Sequence, residues 1–434
     1  MKKYLQLLYV CFIIGCSNSS SVRIGETSDE PFNISFDLEN LSKKGAPMMS
    51  DVIDSLEYVK LEYNPDFQIG SILGRPYISK DYIFILCSHK TGLLQFRRNG
   101  EFIRKIGSYG RGPGEYLQLR DFCVDEKKGM IYTIPNWKTV LCIYDYSNGK
   151  FIEEIPISYL TENEHSTYEN NISSVYPFSD SELLINPTGG GRSRESKYDV
   201  FYTINLTSGN IIRRKESKLF GLDNLKIKEK RSPVLASIPN IVWYDSNDCL
   251  NFWESLNDTV FVVNSDFTTI PRIIVDFGSY KLDIQTALSE FDPAVYSNKL
   301  LILSNLCESS RYFFFLFAFQ DRYISTAYDK TTGDQYLLGS MSSEQFKIGK
   351  QFRGIYNDID GGFSNMMQYD KNIWFASYSA IDMLDKLTPE YFNEARLKVK
   401  FPNKLDKLKE FVSGLDDEDN PVFMIAHLKQ KTSK

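Results

Sequence analysis

The sequence is poor in histidine: His89, His165 and His427 are the only three in 434 residues. That leaves no HExxH zinc signature and no evident Ser-His-Asp set. No two cysteines stand as CxxC, so neither a metal knuckle nor a dithiol redox motif is present. Positive charge is not in excess either. A formal net charge of −6 offers no chain-wide field for nucleic acid or anionic lipid. Glycine-rich stretches occur without GKS or GKT, which removes the P-loop class of phosphate site. What is present is a globular balance, 42% hydrophobic and 24% charged, with 30 Phe and 27 Tyr that favour strands over helices.

Lys2 and Lys3 precede an apolar run, Leu5 to Ile14, that is too short to cross a bilayer as a helix and has the form of a signal peptide. It ends Ile13-Ile14-Gly15-Cys16, similar to a bacterial lipobox, in which the cysteine is lipidated and becomes the first mature residue. Residues 1–15 are therefore expected to be a signal peptide, Cys16 the lipidation site, and 16–50 a tether and lead-in that opens with the flexible SNSSS. No acidic cluster follows Cys16 directly; in lipoproteins of the kind this leader resembles such a cluster tends to mark surface export, so the resemblance implies an outer-membrane anchor facing the periplasm. Cys87, Cys123, Cys142 and Cys249 sit in or beside apolar strand-like runs and read as buried small hydrophobes. With Cys307 the count beyond Cys16 is odd, so at least one thiol stays unpaired even in an oxidising compartment.

An internal repeat decides the architecture. Residues 82–106, YIFILCSHKTGLLQFRRNGEFIRKI, align with 130–155, MIYTIPNWKTVLCIYDYSNGKFIEEI. Ile83 and Ile131 are 48 apart, as are Phe96 and Tyr144, and Ile106 and Ile155 are 49 apart. Each copy holds an apolar strand, a polar turn, a second strand, an Asn-Gly hairpin and a third strand. A period in the forties with several short strands per copy is that of a β-propeller blade.

Lettering the strands a to d from the inside, blade three takes ELLINP, DVFYTINL and NIIRRK, and blade four runs from NIVWYD to PRIIVDFG. Blade five carries YFFFLFAF, an uninterrupted apolar run that expects burial on both faces. Blade six starts near GGFSNMMQYD and ends on PVFMIAHLK, one outer strand short, while SLEYVKLEY (55–63) is left over. Pairing the two closes the ring and removes an exposed edge. The expectation is an all-β, six-bladed propeller of four-stranded blades over 51–434, closed by an N-terminal strand. A helical insertion at about 380–419 lies between strands b and c of blade six. It is signalled by Thr388-Pro389-Glu390 and by Leu405, Leu408, Phe411, Val412 and Leu415 at helical spacing. Residues 283–298 look like a second helical excursion.

The segments FIRKIGSYGRGPGEY, DFCVDEKKGMIYTI, ESLNDTVFVV, IVDFGSYKL, AYDKTTG and DNPVFMIAHLK resemble the six-bladed propeller lipoproteins of gut Gram-negative anaerobes, related to NHL-repeat and TolB-like propellers. The resemblance covers most of 50–430 and is poorest in blade three. It implies the fold and a secreted, lipid-anchored state, and it implies no reaction.

Strand alternation puts all b–c turns and d–a connections on one face. GRGPGEY (Gly110 to Tyr116) is the d–a crossing from blade one to blade two, so that rim gathers Arg111, Glu115, Tyr116, His89, Trp137, Lys138, Arg192, Arg194 and Arg322. These are the candidate ligand-binding residues. The glycines of GRGPGEY have a conformational use in a tight crossing, and Arg111 and Glu115 can pair with each other as well as with a ligand. Six-bladed lactonases hold a central calcium with Glu, Asn and Asp; here Asn257, Asp258, Asp358, Asp360 and Asp121 are the residues open to recruitment, with uninformative spacing. No metal or other cofactor is assigned. The reading is a non-catalytic, lipid-anchored envelope propeller that binds a small molecule, glycan, peptide or envelope protein on this rim, and no nucleic acid. A calcium-dependent hydrolase or lactonase is the alternative.

Overall fold

The computed structural model describes residues 30–430 except 65–68, 89, 137, 158–171, 188–198, 217–240, 246–248, 255, 283–285, 287–297, 303–305, 348–353, 365–367 and 371. Six antiparallel blades are arranged in the expected order. Blade one is Ile72–Ile78, Tyr82–Cys87, Gly92–Arg97 and Phe102–Ile106. Blade two is Leu119–Asp125, Met130–Pro135, Val140–Asp145 and Phe151–Pro156. Blade three is Ile172–Ser179, Glu182–Pro187, Asp199–Asn205 and Ile211–Glu216. Blade four is Ile241–Tyr244, Leu250–Trp253, Thr259–Val263 and Thr269–Asp276. In blade five the inner strand is split into Leu301–Ile302 and Cys307–Glu308, both paired with Tyr312–Phe319, and Arg322–Asp329 and Gln335–Ser342 follow.

Blade six is Gln368–Asp370, Ile373–Tyr378 and Val422–Leu428, completed on the outside by Ile53–Lys60. That last pairing is antiparallel with Tyr58 opposite Met424, so strands from the two ends of the chain close the ring as expected. Closure leaves Val422–Leu428 bonded on both edges instead of open to another chain.

The repeat has a packing cause. Ile83 and Phe96 face the seam between blades six and one, and their counterparts Ile131 and Tyr144 face the seam between blades one and two. Ile106 and Ile155 point the other way, each into the seam with the following blade. Equivalent positions thus meet equivalent neighbours. The run Tyr312–Phe319 is apolar throughout because both its faces are covered. Phe314 meets Trp374 of blade six edge-on at 5.0 Å, while Phe313 meets Phe32 at 5.5 Å and Phe315 meets Trp253 of blade four at 6.4 Å.

The c–d hairpins are more than plain turns. Gly100 has φ +93°, and a β-carbon on it would lie 2.0 Å from the Lys60 carbonyl oxygen; at Gly209 (φ +68°) the distance to the Pro156 oxygen is 1.7 Å. Each hairpin presses its glycine onto the outer strand of the preceding blade, which only a residue without a side chain allows.

The lead-in, read from the sequence as tether, carries a strand of its own. Phe32–Ser35 adds in parallel to the outer strand of blade four, register Phe32 to Ile273, making a fifth strand. Phe36 then enters the core against Phe317 at 5.0 Å. The chain continues past blade five through a bridge between Ser42 and Tyr336, and reaches blade six through one between Met48 and Tyr356.

The insertion between strands b and c of blade six is helical, as expected: Ala380–Lys386, Pro389–Ala395 and Pro402–Ser413. Thr388 caps the second helix by accepting from the Tyr391 amide, with Pro389 in the first turn. Leu405, Leu408 and Val412 are buried, and Phe411 lies 5.9 Å from the ring of Tyr58. Nearly all of the excursion at 283–298, the leader and Cys16 lie outside the described residues. No helix among the described residues is long and apolar enough to cross a membrane.

Candidate functional site

GRGPGEY is wedged into the seam between blades one and two and bonded to both. Ser108–Tyr109 and Glu115–Tyr116 pair in parallel across the base of the loop. Glu115 turns inward: its Oε2 accepts from the Gly112 amide at 2.7 Å, and its own amide donates to the Gly112 carbonyl at 3.1 Å. Tyr116 is buried, its hydroxyl donating to the Ile106 carbonyl at 2.5 Å and accepting from the Leu93 amide at 3.1 Å. Burial raises the Tyr116 hydroxyl above the usual tyrosine range, against the stabilising Leu93 amide, so it stays protonated. On the blade-two side, the Tyr144 hydroxyl donates to the Gly114 carbonyl at 2.9 Å and the Gly114 amide donates to Glu154 at 3.0 Å. Lys138 reaches from the b–c turn to the Gly112 carbonyl and pairs with Glu154 at 2.6 Å.

These contacts divide the expected rim residues. Tyr116, Glu115 and Lys138 were expected to face a ligand, but their polar atoms hold the loop in its seam, so they are positioned as structural groups. Arg111 stands exposed at the loop tip, and no ion pair with Glu115 forms; Glu115 is taken by the loop's own backbone. Beside it, Tyr109 is half exposed, with the Lys90 ammonium 5.2 Å above its ring. Neither Tyr109 nor Lys90 is among the sequence candidates, although Tyr109 sits directly before GRGPGEY. Arg322, across the ring at the b–c turn of blade five, is exposed and donates from Nε to Ser340 Oγ at 2.7 Å. His89, Trp137, Arg192 and Arg194 lie outside the described residues.

The residues open to calcium are dispersed. Asn257 accepts from the Thr259 amide, and Asp258 pairs with Lys281 at 2.7 Å. Burial opposes ionisation of Asp258, but Lys281 and Thr259 outweigh it and hold the carboxyl below its usual range. Asp358 accepts from the Ser50 amide and hydroxyl at 2.8 and 2.6 Å and pairs with Lys400 at 3.0 Å. Asp360 is buried and accepts from Asn357 Nδ2 at 2.7 Å and the Gly362 amide at 2.9 Å; burial dominates and raises its carboxyl. Among the described residues no group of three or more His, Cys, Asp or Glu side chains converges on a point.

Asp121 has a different position. It lies at the inner end of blade two, and its Oδ2 accepts from the Val175 amide of blade three at 2.8 Å. Arg75 of blade one lies over the Tyr176 ring at 4.8 Å and acts on Asp121 electrostatically. Three inner strands are thereby tied together around one carboxyl. Burial pushes it up to about 6, against the opposing pull of the Phe122 and Val175 amides and Arg75. A second buried network joins blades four and five. Arg272 pairs with Glu308 at 2.6 Å and Asp245 at 3.3 Å and donates to Asn251 at 3.1 Å, while Lys330 pairs with Glu308 at 2.9 Å. Burial disfavours the Glu308 carboxylate, yet the two cations outweigh that and hold it ionised. Single charged residues inside apolar strands, such as Arg272 in PRIIVDFG, were the available signal. The thiols read as buried hydrophobes behave so for Cys87, Cys123 and Cys142, with Cys249 partly exposed; burial pushes Cys87 and Cys142 up to about 12. On the opposite rim, an open groove of about 330 Å³ lies between the a–b turn and c–d hairpin of blade one, lined by Lys80, Asp81, Tyr82, Arg97, Arg98 and Asn99.

The ring, its closure and its seam-bound loops define a six-bladed β-propeller. Within that class the chain belongs to the family described as domain of unknown function DUF4934, whose model matches residues 32–427. A Bacteroides fragilis protein, provisionally described as exported, superposes with a TM-score of 0.61 at 17% identity, covering 92% of this chain and 100% of its own. At that identity the likeness speaks for the fold alone. A DUF4221-family member from Bacteroides vulgatus has a TM-score of 0.43 at 11% identity over 87% of this chain and 98% of its own. A streptogramin B lyase has a TM-score of 0.33 at 10% identity over 67% and 74%. Both are too remote to bear on activity. No curated protein matches the chain.

Proposed function

We propose that this propeller is a non-catalytic protein, lipid-anchored through Cys16 to the outer membrane and facing the periplasm. It binds a small molecule, glycan, peptide or envelope protein on the rim formed by the b–c and d–a loops. The observation that carries this reading is the GRGPGEY loop. Blade two holds its backbone through Glu154 and Tyr144, blade one holds its Tyr116 hydroxyl, and yet the loop and the residue before it present Arg111 and Tyr109 to solvent with Lys90 across the tyrosine ring. A rigid loop that projects a guanidinium and an aromatic plane loses little conformational entropy on meeting a ligand. Arginine and tyrosine are also the residue types that carry binding energy at interfaces.

A thermal-shift screen with glycans, peptides and calcium is the test, since anything that binds the native state alone raises its melting point. Hits should be lost in Arg111→Ala and weakened in Tyr109→Ala, and kept in Asn148→Ala at the opposite rim. Full binding by both rim variants would refute the assignment of this face. A shift produced by calcium alone would favour the hydrolase class instead. For the anchor, Cys16→Ser should abolish lipid labelling of the protein; persistent labelling would refute that assignment.

A further inference from the structure

We propose that the helical insertion of blade six docks on an anionic lipid surface through the loop from Arg396 to Phe401, orienting the propeller on the membrane that holds its anchor. The inference rests on the lipid-anchored reading above. Leu397 is 88% exposed, more than any other large hydrophobic described, and Phe401, four residues on, is 41% exposed. Residues 395–405, ARLKVKFPNKL, contain four cations, Arg396, Lys398, Lys400 and Lys404, between Glu394 and Asp406; Arg396 pairs with Asp406.

The loop is firmly held at its base. The Lys400 amide donates to the Asp358 carbonyl at 2.7 Å and its ammonium pairs with the Asp358 carboxylate at 3.0 Å. Val399 packs against the Gly361 backbone, and the Tyr391 hydroxyl donates to the Gly361 carbonyl at 2.6 Å. Leu397 is thus presented to solvent by a braced turn. Lys398 flanks it, and the Lys404 ammonium lies 5.1 Å over the Phe401 ring.

A membrane fits this pattern better than a protein partner. Protein interfaces surround an apolar anchor with further apolar contacts and are depleted of lysine, whereas Leu397 and Phe401 are flanked by Lys398 and Lys404, the two cations of the segment not held in an ion pair with Asp406 or Asp358. Apolar tips inserted at headgroup level beside lysines that meet anionic lipid are the features of interfacial membrane contacts. Residues 17–31, between Cys16 and the first strand, extend to roughly 50 Å at full stretch, so the tether permits the contact without imposing it.

The test uses the full lipidated protein in a Cys249→Ser background, with an environment-sensitive fluorophore on Leu397→Cys or, as control, on Ser208→Cys at the blade-three c–d hairpin. On vesicles of phosphatidylethanolamine with phosphatidylglycerol, the label at 397 should shift to the blue. Doxyl lipids should quench it several-fold more than the label at 208. Pure phosphatidylcholine vesicles, or Lys398→Glu with Lys404→Glu, should abolish most of the difference. Protein that floats with the vesicles while its 397 label remains water-like refutes the docking and leaves the anchor standing. Protein that fails to float refutes both. A blue shift that rises with protein concentration in the absence of vesicles overturns the proposal in favour of a second copy of the chain.

Discussion

Replacing Asp121 by asparagine should stabilise the protein at neutral pH and leave it nearly unchanged near pH 4. The carboxyl is almost fully buried where blades one, two and three meet, and burial raises it from 3.8 to about 6. A carboxyl raised in the folded state favours folding while it is protonated and loses that contribution as pH rises from its unfolded value through its folded one. A rise of about two units corresponds to ~3 kcal/mol of penalty once both states are ionised. Asparagine retains an oxygen to accept from the Val175 amide and carries no charge to bury. The Asp121→Asn variant should therefore melt roughly 3 to 4 °C higher above pH 7, given the unfolding entropy of a chain of this size. The assay is calorimetry of both proteins at half-unit steps from pH 4 to 8. The difference should open between pH 4 and 6.5 and then stay flat. A difference independent of pH would show that packing, not ionisation, separates them. A less stable variant at pH 7.5 would show that Arg75 compensates the charge more than burial penalises it.

The remaining predictions probe what holds the ring. Tyr116→Phe leaves the Leu93 amide and Ile106 carbonyl buried without their partner, and should cost about 2 to 4 kcal/mol in urea unfolding; a loss below ~0.5 kcal/mol would remove Tyr116 as the loop's fastening. Gly209→Ala and Gly129→Ala share nearly the same positive φ, but only the first places a β-carbon against a carbonyl, Gly129 having nothing within 4 Å. Gly129→Ala should cost about 1 to 2 kcal/mol for the backbone conformation, and Gly209→Ala several-fold more; equal effects would refute the hairpin-to-blade contact. Arg272→Leu removes a shared cation from Glu308 and Asp245 and should destabilise by about 3 to 5 kcal/mol, measured by urea midpoint, with partial recovery when Glu308→Gln is added. Deletion of residues up to Lys60 should expose the Val422–Leu428 edge and produce oligomers by light scattering; a stable monomer would mean the N-terminal strand is not needed for closure.

Much of the architecture was legible because it depends on local patterns. The 48-residue offset between Ile83 and Ile131 reflects equivalent seams, the Asn-Gly pairs mark turns, and the unpaired SLEYVKLEY matched a blade lacking an outer strand. The strand at Phe32–Ser35 was not legible: four residues added to an outer edge carry too little alternation to stand out from a tether. Of the candidate site, strand alternation gave the rim but not the direction of its side chains. Arg111, Glu115 and Tyr116 lie within six residues, and nothing in their order says which is exposed.

By itself the sequence determined the class of fold, the number of blades, the ring closure and the place of the helical insertion. These follow from periodicity and turn chemistry, which act between near neighbours or between repeats. Only the tertiary structure decided which groups are structural and which remain available. Glu115 and Tyr116 are taken up by partners in the loop itself and in strands of blade one, as Asp121 is by blade three. Arg111 and Leu397 reach solvent because the backbone on either side of them is fixed by contacts distant in the chain. Burial and hydrogen bonding between blades set those outcomes, and they depend on distances that no local pattern encodes.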